Sequence, residues 1–301
     1  MTRPALLPLL LALVASCCAP AVAGTPSASG PPSAPASGVE RWFSQDYMFG
    51  DWGGVRTDLA NRGVGLEFFY LGSVPSNLSG GIREGAVYQH AMLLALDLDF
   101  DKLLGWQGGG FHGSYVWLEG EPFSSTYVGD LNKTNLVDFP EAFRMWELYL
   151  QQRLFGDRVT IKAGLMSVDR DFIVPELYNS LASINFLNQT FFYPTLAFNL
   201  WDIPGFPPGD HALPSTPYSA LGALVKWQPV DAFYIQAAVY DGCPDLGATG
   251  TRWDLRDEQG ALFYAEMGYR HHHRQDDPGL PGSIKIGGYY HTHDLYHGSG
   301  N

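Results

Sequence analysis

The chain has 301 residues, 46% of them hydrophobic and 14% aromatic, but only 16% charged, with a formal net charge of −13. So apolar a composition excludes general disorder, and the shortage of Lys, Glu and Ala runs excludes a coiled coil. The negative charge excludes a nucleic-acid partner on electrostatic grounds.

Arg3 precedes the apolar run Ala5 to Ala15, and Ala21-Val22-Ala23 supplies an A-x-A cleavage site, so residues 1–23 read as a signal peptide. Val14-Ala15-Ser16-Cys17 offers a competing lipoprotein box with Cys17 as the acylated residue. Either route exports the protein. Cleavage after Ala23 leaves Cys243 alone, without an internal disulfide framework. Residues 24–46 are rich in Ser, Pro, Ala and Gly and read as a disordered leader. No later stretch supplies the 18 or so consecutive apolar residues of a membrane-spanning helix.

From Val64 onward the hydrophobic period is two, which predicts nine strands. After Val64 to Ser73, the residues Met92, Leu94, Leu96 and Leu98 alternate with Ala91, Leu93, Ala95 and Asp97. Phe111 to Leu118 is strand-like with ambiguous faces. Trp146, Leu148 and Leu150 point one way; Glu147, Tyr149, Gln151 and Arg153 point the other. Across the turn Phe155-Gly156-Asp157-Arg158, a hairpin puts Leu150 beside Ala163 and Gln151 beside Lys162, so the two faces agree. Four further strands follow, beginning near Leu221, Phe233, Phe263 and Ile284.

Short connections (Asp101 to Gln107, Phe155 to Arg158, Gln228 to Asp231, His271 to Gly282) alternate with long ones. Such strands, each with one apolar and one polar face, predict an all-β fold: an outer-membrane antiparallel β-barrel. Phe100, Trp106, Trp146, Phe155, Trp227 and Phe233 suit interfacial girdles. The polar face carries Asp97, Glu147, Arg153, Lys162, Lys226 and Glu266, which implies a watery lumen. The candidate pore-lining residues are Glu147, Gln151, Arg153, Lys162, Gln236 and Glu266. The fifty-residue connection Asp169 to Tyr218 is expected to fold inward or pack on the barrel mouth, with a short helix from Pro175, and to narrow the pore, the stretch Asn185 to Asn199 included.

No metal or cofactor is expected. His271, His272 and His273 lie roughly 26–33 Å along the strand from His291 and His293, too far to share an ion. Gly108-Gly109-Gly110 opens a strand rather than a helix, so it is no phosphate cradle. Asp169 and Asp171 could serve a glycosidase, but nothing fixes an acid and a base at a defined separation, and no G-x-S-x-G or H-E-x-x-H occurs. An exported soluble carbohydrate-binding β protein and a secreted carbohydrase remain the alternatives.

Gly50-Asp51-Trp52-Gly53-Gly54-Val55-Arg56-Thr57-Asp58-Leu59 followed by Asn61-Arg62-Gly63-Val64 resembles the opening of carbohydrate-selective (OprB-type) porins. The likeness continues in Ser79 to Tyr88, Asp97 to Trp106, Trp146 to Gln152 and Gln236 to Gly242. The resemblance implies a porin β-barrel domain over residues 47–301 and a channel for sugars in the outer membrane of a Gram-negative bacterium. It also implies outer-membrane lipid, the barrel-assembly machinery and neutral sugars as partners, with homo-oligomerisation left open. The family barrel has sixteen strands. Nine strands use about 230 residues, so sixteen would need on the order of 450. The domain is therefore expected to be incomplete at its C-terminal side, and an unclosed sheet leaves edge groups unpaired in lipid.

Overall fold

The structure, a computed structural model, describes residues 12–15, 49–130, 133, 135, 137–172, 213–253, 255, 260–272, 280 and 282–292. Of the expected signal peptide and leader, only Ala12–Ala15 falls among these, its backbone paired antiparallel with residues 70–73. The expected Pro175 helix and the Asn185 to Asn199 stretch lie outside the described residues.

The chain enters through a short helix, α1 (Val55–Asn61). Asp51 accepts from both the Thr57 amide and hydroxyl at 2.9 Å, and Gly53 and Gly54 supply the positive φ values that turn the chain into the helix. Nine long strands follow: β1 (Val64–Ser73), β2 (Gln89–Asp99), β3 (Gly109–Glu119), β4 (Ala142–Leu154), β5 (Val159–Met166), β6 (Ala220–Val230), β7 (Phe233–Asp241), β8 (Ala261–His271) and β9 (Gly282–His291). Each pairs antiparallel with its sequence neighbour in one continuous sheet. The expected hairpin register holds: Leu150 opposes Ala163 and Gln151 opposes Lys162. Among the described residues, the sheet runs open from the Ala12–Ala15 strand, paired on β1, to β9.

The alternation sorts the side chains in the inverted sense of a membrane barrel. Leu94, Leu150 and Ile286 are 56%, 50% and 65% exposed, whereas Glu147, Gln236 and Glu266 are 2%, 4% and 4% exposed. A sheet built for water would reverse that order. A charge facing lipid at midplane costs about 2–4 kcal/mol, which is why carboxylates and ammoniums collect on the inward face. Trp106, Phe155 and Trp227 are exposed at the short-turn end, as expected of a girdle. Phe100 differs: it begins a helical turn, α2 (Phe100–Leu104), and stacks on Trp106 at 5.5 Å.

One expectation is corrected. Trp146 does not share the outward face of Leu148 and Leu150; it is buried against Val116 and Leu118 on the inward side. The cause is a bulge in β4. Ser114 pairs with Glu147 but Tyr115 pairs with Met145, so the additional residue puts Trp146 and Glu147 on the same face.

The lengths of β4 and β5 also differ. β4 has 13 residues and β5 has 8, and their ladder covers only residues 148–154 of β4. The upper part of β4 is completed by a distant loop: the Met145 amide donates to the Thr249 carbonyl at 2.9 Å. Arg144 donates to the carbonyl oxygens of Asp245 and Gly247 in that loop.

Candidate functional site

Inside the sheet, the long connection after β5 turns back onto the wall. A helical turn, α3 (Val168–Asp171), buries Val168 and Phe172 in a cluster with Leu224, Ala238, Leu262 and Tyr264. Phe172 lies 5.1 Å from the Tyr264 ring. With these apolar residues facing the strands, Arg170 and Asp171 are aimed at charges on the wall. Arg170 Nε lies 3.5 Å from Glu147 Oε2, and Lys162 Nζ lies 2.6 Å from Asp171 Oδ1. Buried charges persist only when partnered, and here strand and loop supply opposite signs to each other.

The network spreads from these two pairs. Glu147 also accepts from the Ser167 amide at 3.3 Å and lies 3.9 Å from His112 Nε2. The other His112 nitrogen meets Asp97 at 2.7 Å, and its ring stacks on Tyr149 at 5.0 Å. Lys162 Nζ stands 4.9 Å from the centroid of that Tyr149 ring. Gln236 donates to the Asp171 carbonyl at 2.5 Å and to Glu266 at 3.1 Å, and the Tyr234 hydroxyl donates to Glu266 at 2.7 Å.

The far end of the same connection is tied to the near end. Asp169 accepts from the Thr216 amide at 3.0 Å, the Thr216 hydroxyl at 2.6 Å and the Ser167 hydroxyl. The Val168 amide donates to Pro214 at 2.8 Å. Burial pushes the Tyr218 phenol up, while the Arg144 guanidinium, 4.6 Å from its ring centroid, draws it back.

Two other long connections are pinned in a similar way. Asp138 accepts from the Phe123 amide at 2.9 Å, the Ser124 amide at 2.7 Å and Gln89 at 3.0 Å. Asp245 accepts from the amides of Gly247 and Arg252, both at 2.7 Å.

Of the six candidate lining residues, Glu147, Lys162, Gln236 and Glu266 are gathered by residues 167–172 into this one network. Gln151 and Arg153 face the same interior nearer the short-turn end. Arg153 meets Asp157 at 3.8 Å, with both side chains well exposed. The network also contains His112, Tyr149 and Arg170, which the sequence did not single out. The face of His112 was ambiguous because residues of both parities from Phe111 to Leu118 are bulky. Among the described residues, no three His, Cys, Asp or Glu side chains group as metal ligands would.

This arrangement can hold a water-filled interior while keeping its charges fixed. Paired ions and aromatic faces line the wall, and a loop segment occupies the space inside it.

Comparison with known proteins agrees with that geometry. Residues 83–298 match the carbohydrate-selective porin, OprB family. Porin B of Pseudomonas aeruginosa is 26% identical over 259 residues, which cover 82% of this chain and 52% of the relative. The high-pH structure of Pseudomonas putida OprB superposes with a TM-score of 0.65 at 25% identity, covering 82% of this chain and 57% of that one. The chain thus spans about half the length of the relatives it matches.

Proposed function

Because the chain belongs to the carbohydrate-selective porin, OprB family, whose β-barrels lie in the outer membrane of Gram-negative bacteria, we propose that it forms wall and constriction of a sugar channel. The observation that carries this reading is the docking of residues 167–172 on the inward face, through Glu147–Arg170 and Lys162–Asp171. Such a loop narrows the interior and presents hydrogen-bonding groups where a solute must pass.

The physical logic favours neutral polar solutes. A sugar leaving bulk water must exchange its water hydrogen bonds for others of similar strength. Arg170, exposed at its side chain and held by buried Glu147, supplies donors fixed in place, so little ordering is needed when a hydroxyl arrives. At the centre of the network opposite charges are paired, Glu147 with Arg170 and Lys162 with Asp171. The reading is of passive diffusion rather than catalysis. It also accounts for the outward face, since a soluble sugar-binding protein would expose Leu94, Leu150, Phe263 and Ile286 to water.

The test is liposome swelling with the native protein extracted from outer membranes. Glucose should enter faster than into protein-free liposomes, and raffinose should lag behind glucose. Asp169→Ala, which releases the Thr216 amide and hydroxyl, should raise single-channel conductance. Glucose entry at the protein-free rate would sink the proposal.

A further inference from the structure

Residues three apart on a regular strand face opposite ways, yet Arg144 and Glu147 of β4 both face the interior, because the bulge adds a residue between them. Both are buried, at 1% and 2% exposure. Glu147 takes the entry of the long connection between β5 and β6, through Arg170 and the Ser167 amide. Arg144 takes its exit: the guanidinium lies 4.6 Å from the centroid of the Tyr218 ring, just before β6 begins at Ala220. One strand thus seats both ends of that connection.

Arg144 also grips the connection between β7 and β8. It donates to the carbonyl oxygens of Asp245 and Gly247, and its guanidinium stands 3.9 Å from the Asp245 carboxylate. That carboxylate is fixed in turn by the Gly247 and Arg252 amides, and the Asp245 amide donates to the Ser219 carbonyl at 3.0 Å. Gly250, at positive φ, lets the loop lie against the Met145 carbonyl, where a Cβ would collide. Residues 245–252, residues 218–219 and β4 are therefore locked around one buried guanidinium. A planar fork of five donors suits the task, since it can reach two carbonyls while its face lies on a ring. The lock continues to the constriction, because Pro214 and Thr216 hold α3 through the Val168 amide and the Asp169 carboxylate.

We propose that Arg144 is a positioning residue for solute passage: by tying the β7–β8 loop to Tyr218 and Ser219, it makes that loop set the width left beside α3. The inference rests on the sugar-channel reading. Arg144 makes no contact with the solute, since its side chain is sealed from the lumen. It acts through the return segment that it holds, and loosening the β7–β8 loop widens the passage some distance away.

The test uses the native protein and its variants in planar bilayers and liposomes, with glucose and raffinose as probes. Arg144→Gln, which loses both the fork and the stack, should raise single-channel conductance and increase the ratio of raffinose to glucose entry by about threefold. Asp245→Ala, placed in the loop rather than in the sheet, should do the same. The double variant should exceed neither single one, because both break one linkage. Heat-modifiability on gels identifies the folded variants, and if Arg144→Gln misfolds, Asp245→Ala decides alone. A folded variant with wild-type conductance and ratio overturns the positioning role and leaves the sugar-channel reading standing. A higher conductance with an unaltered ratio overturns it too, since the effect then lies at the outer mouth. Effects that add in the double variant also overturn it, because the two residues would then act separately. Wild-type liposomes that admit no glucose overturn both readings.

Discussion

Two connections at the short-turn end are shaped by their own backbone and by a local cap, whereas two at the opposite end are held by carboxylates reaching far along the chain. Between β4 and β5 the turn needs only its own backbone, with positive φ at Phe155, Gly156 and Asp157. Between β2 and β3, Asp99 caps α2 through the Asp101 and Lys102 amides, two and three residues away. At the long end, Asp138 reaches Phe123 and Gln89, 15 and 49 residues distant. Asp169 reaches Thr216, 47 residues distant. Both are buried, and both accept backbone amides that would otherwise face an interior without partners. The short end is thus stabilised by local geometry. The long end relies on a few charge-assisted hydrogen bonds, each worth about 1.5–3 kcal/mol.

The sharpest way to break that contrast is Asp138→Ala. It strands the Phe123 and Ser124 amides and removes one of the two acceptors of the Gln89 amide, at a cost of about 3 kcal/mol or more to the loop. Protease added to intact cells should then cut within residues 120–141, while the heat-modifiable barrel persists. Unchanged protection would mean that the loop is held by something other than this carboxylate.

Asp99→Ala is the matching change at the short end. It removes a helix N-cap at a cost of about 1 kcal/mol. Thermal unfolding should shift by a few degrees, and loop proteolysis and conductance should stay as in wild type. A conductance change from this substitution would show that the two ends are coupled.

The smallest effect is a pH dependence. Burial raises the Asp130 carboxyl above its ordinary value, and the charge of Lys133 opposes the shift. A raised carboxyl favours the folded loop while it is protonated. That contribution is complete at acid pH and is lost as the pH rises through the raised value. Asp130→Asn should therefore slow proteolysis of the loop at neutral pH, with the difference from wild type fading on acidification. A difference that grows on acidification would reverse the assignment.

Much of the wall was legible from residue alternation. The pairing of Leu150 with Ala163 follows from two apolar registers meeting across Phe155-Gly156-Asp157-Arg158, because a slip of one residue would turn every charge outward. Trp146 was misplaced for a reason that alternation cannot register. Its bulge arises from the match of β4 to β3 rather than from β4 itself. The candidate site was half legible. Strand parity placed Glu147, Lys162, Gln236 and Glu266 on the inward face. Their loop partners Arg170 and Asp171 could not be assigned, because pairing across a long connection depends on where the chain returns. Asp138 and Asp245 left no local signal either, since the amides and side chains they engage are set by loop conformation and lie up to 101 residues away.

The step in length between β4 and β5 has a consequence for assembly. The upper edge of β4 gains its partner only when residues 245–250 arrive, after three further strands have formed. Contacts so distant in sequence are slow to form, because a large loop must first be closed. Growth of the sheet strand by strand therefore leaves a gap near its middle, and that gap is sealed late, by a segment made about a hundred residues downstream. An insertion intermediate ending after β6 would expose Met145 as an open hydrogen-bonding edge, a natural foothold for whatever chaperones the chain to the membrane.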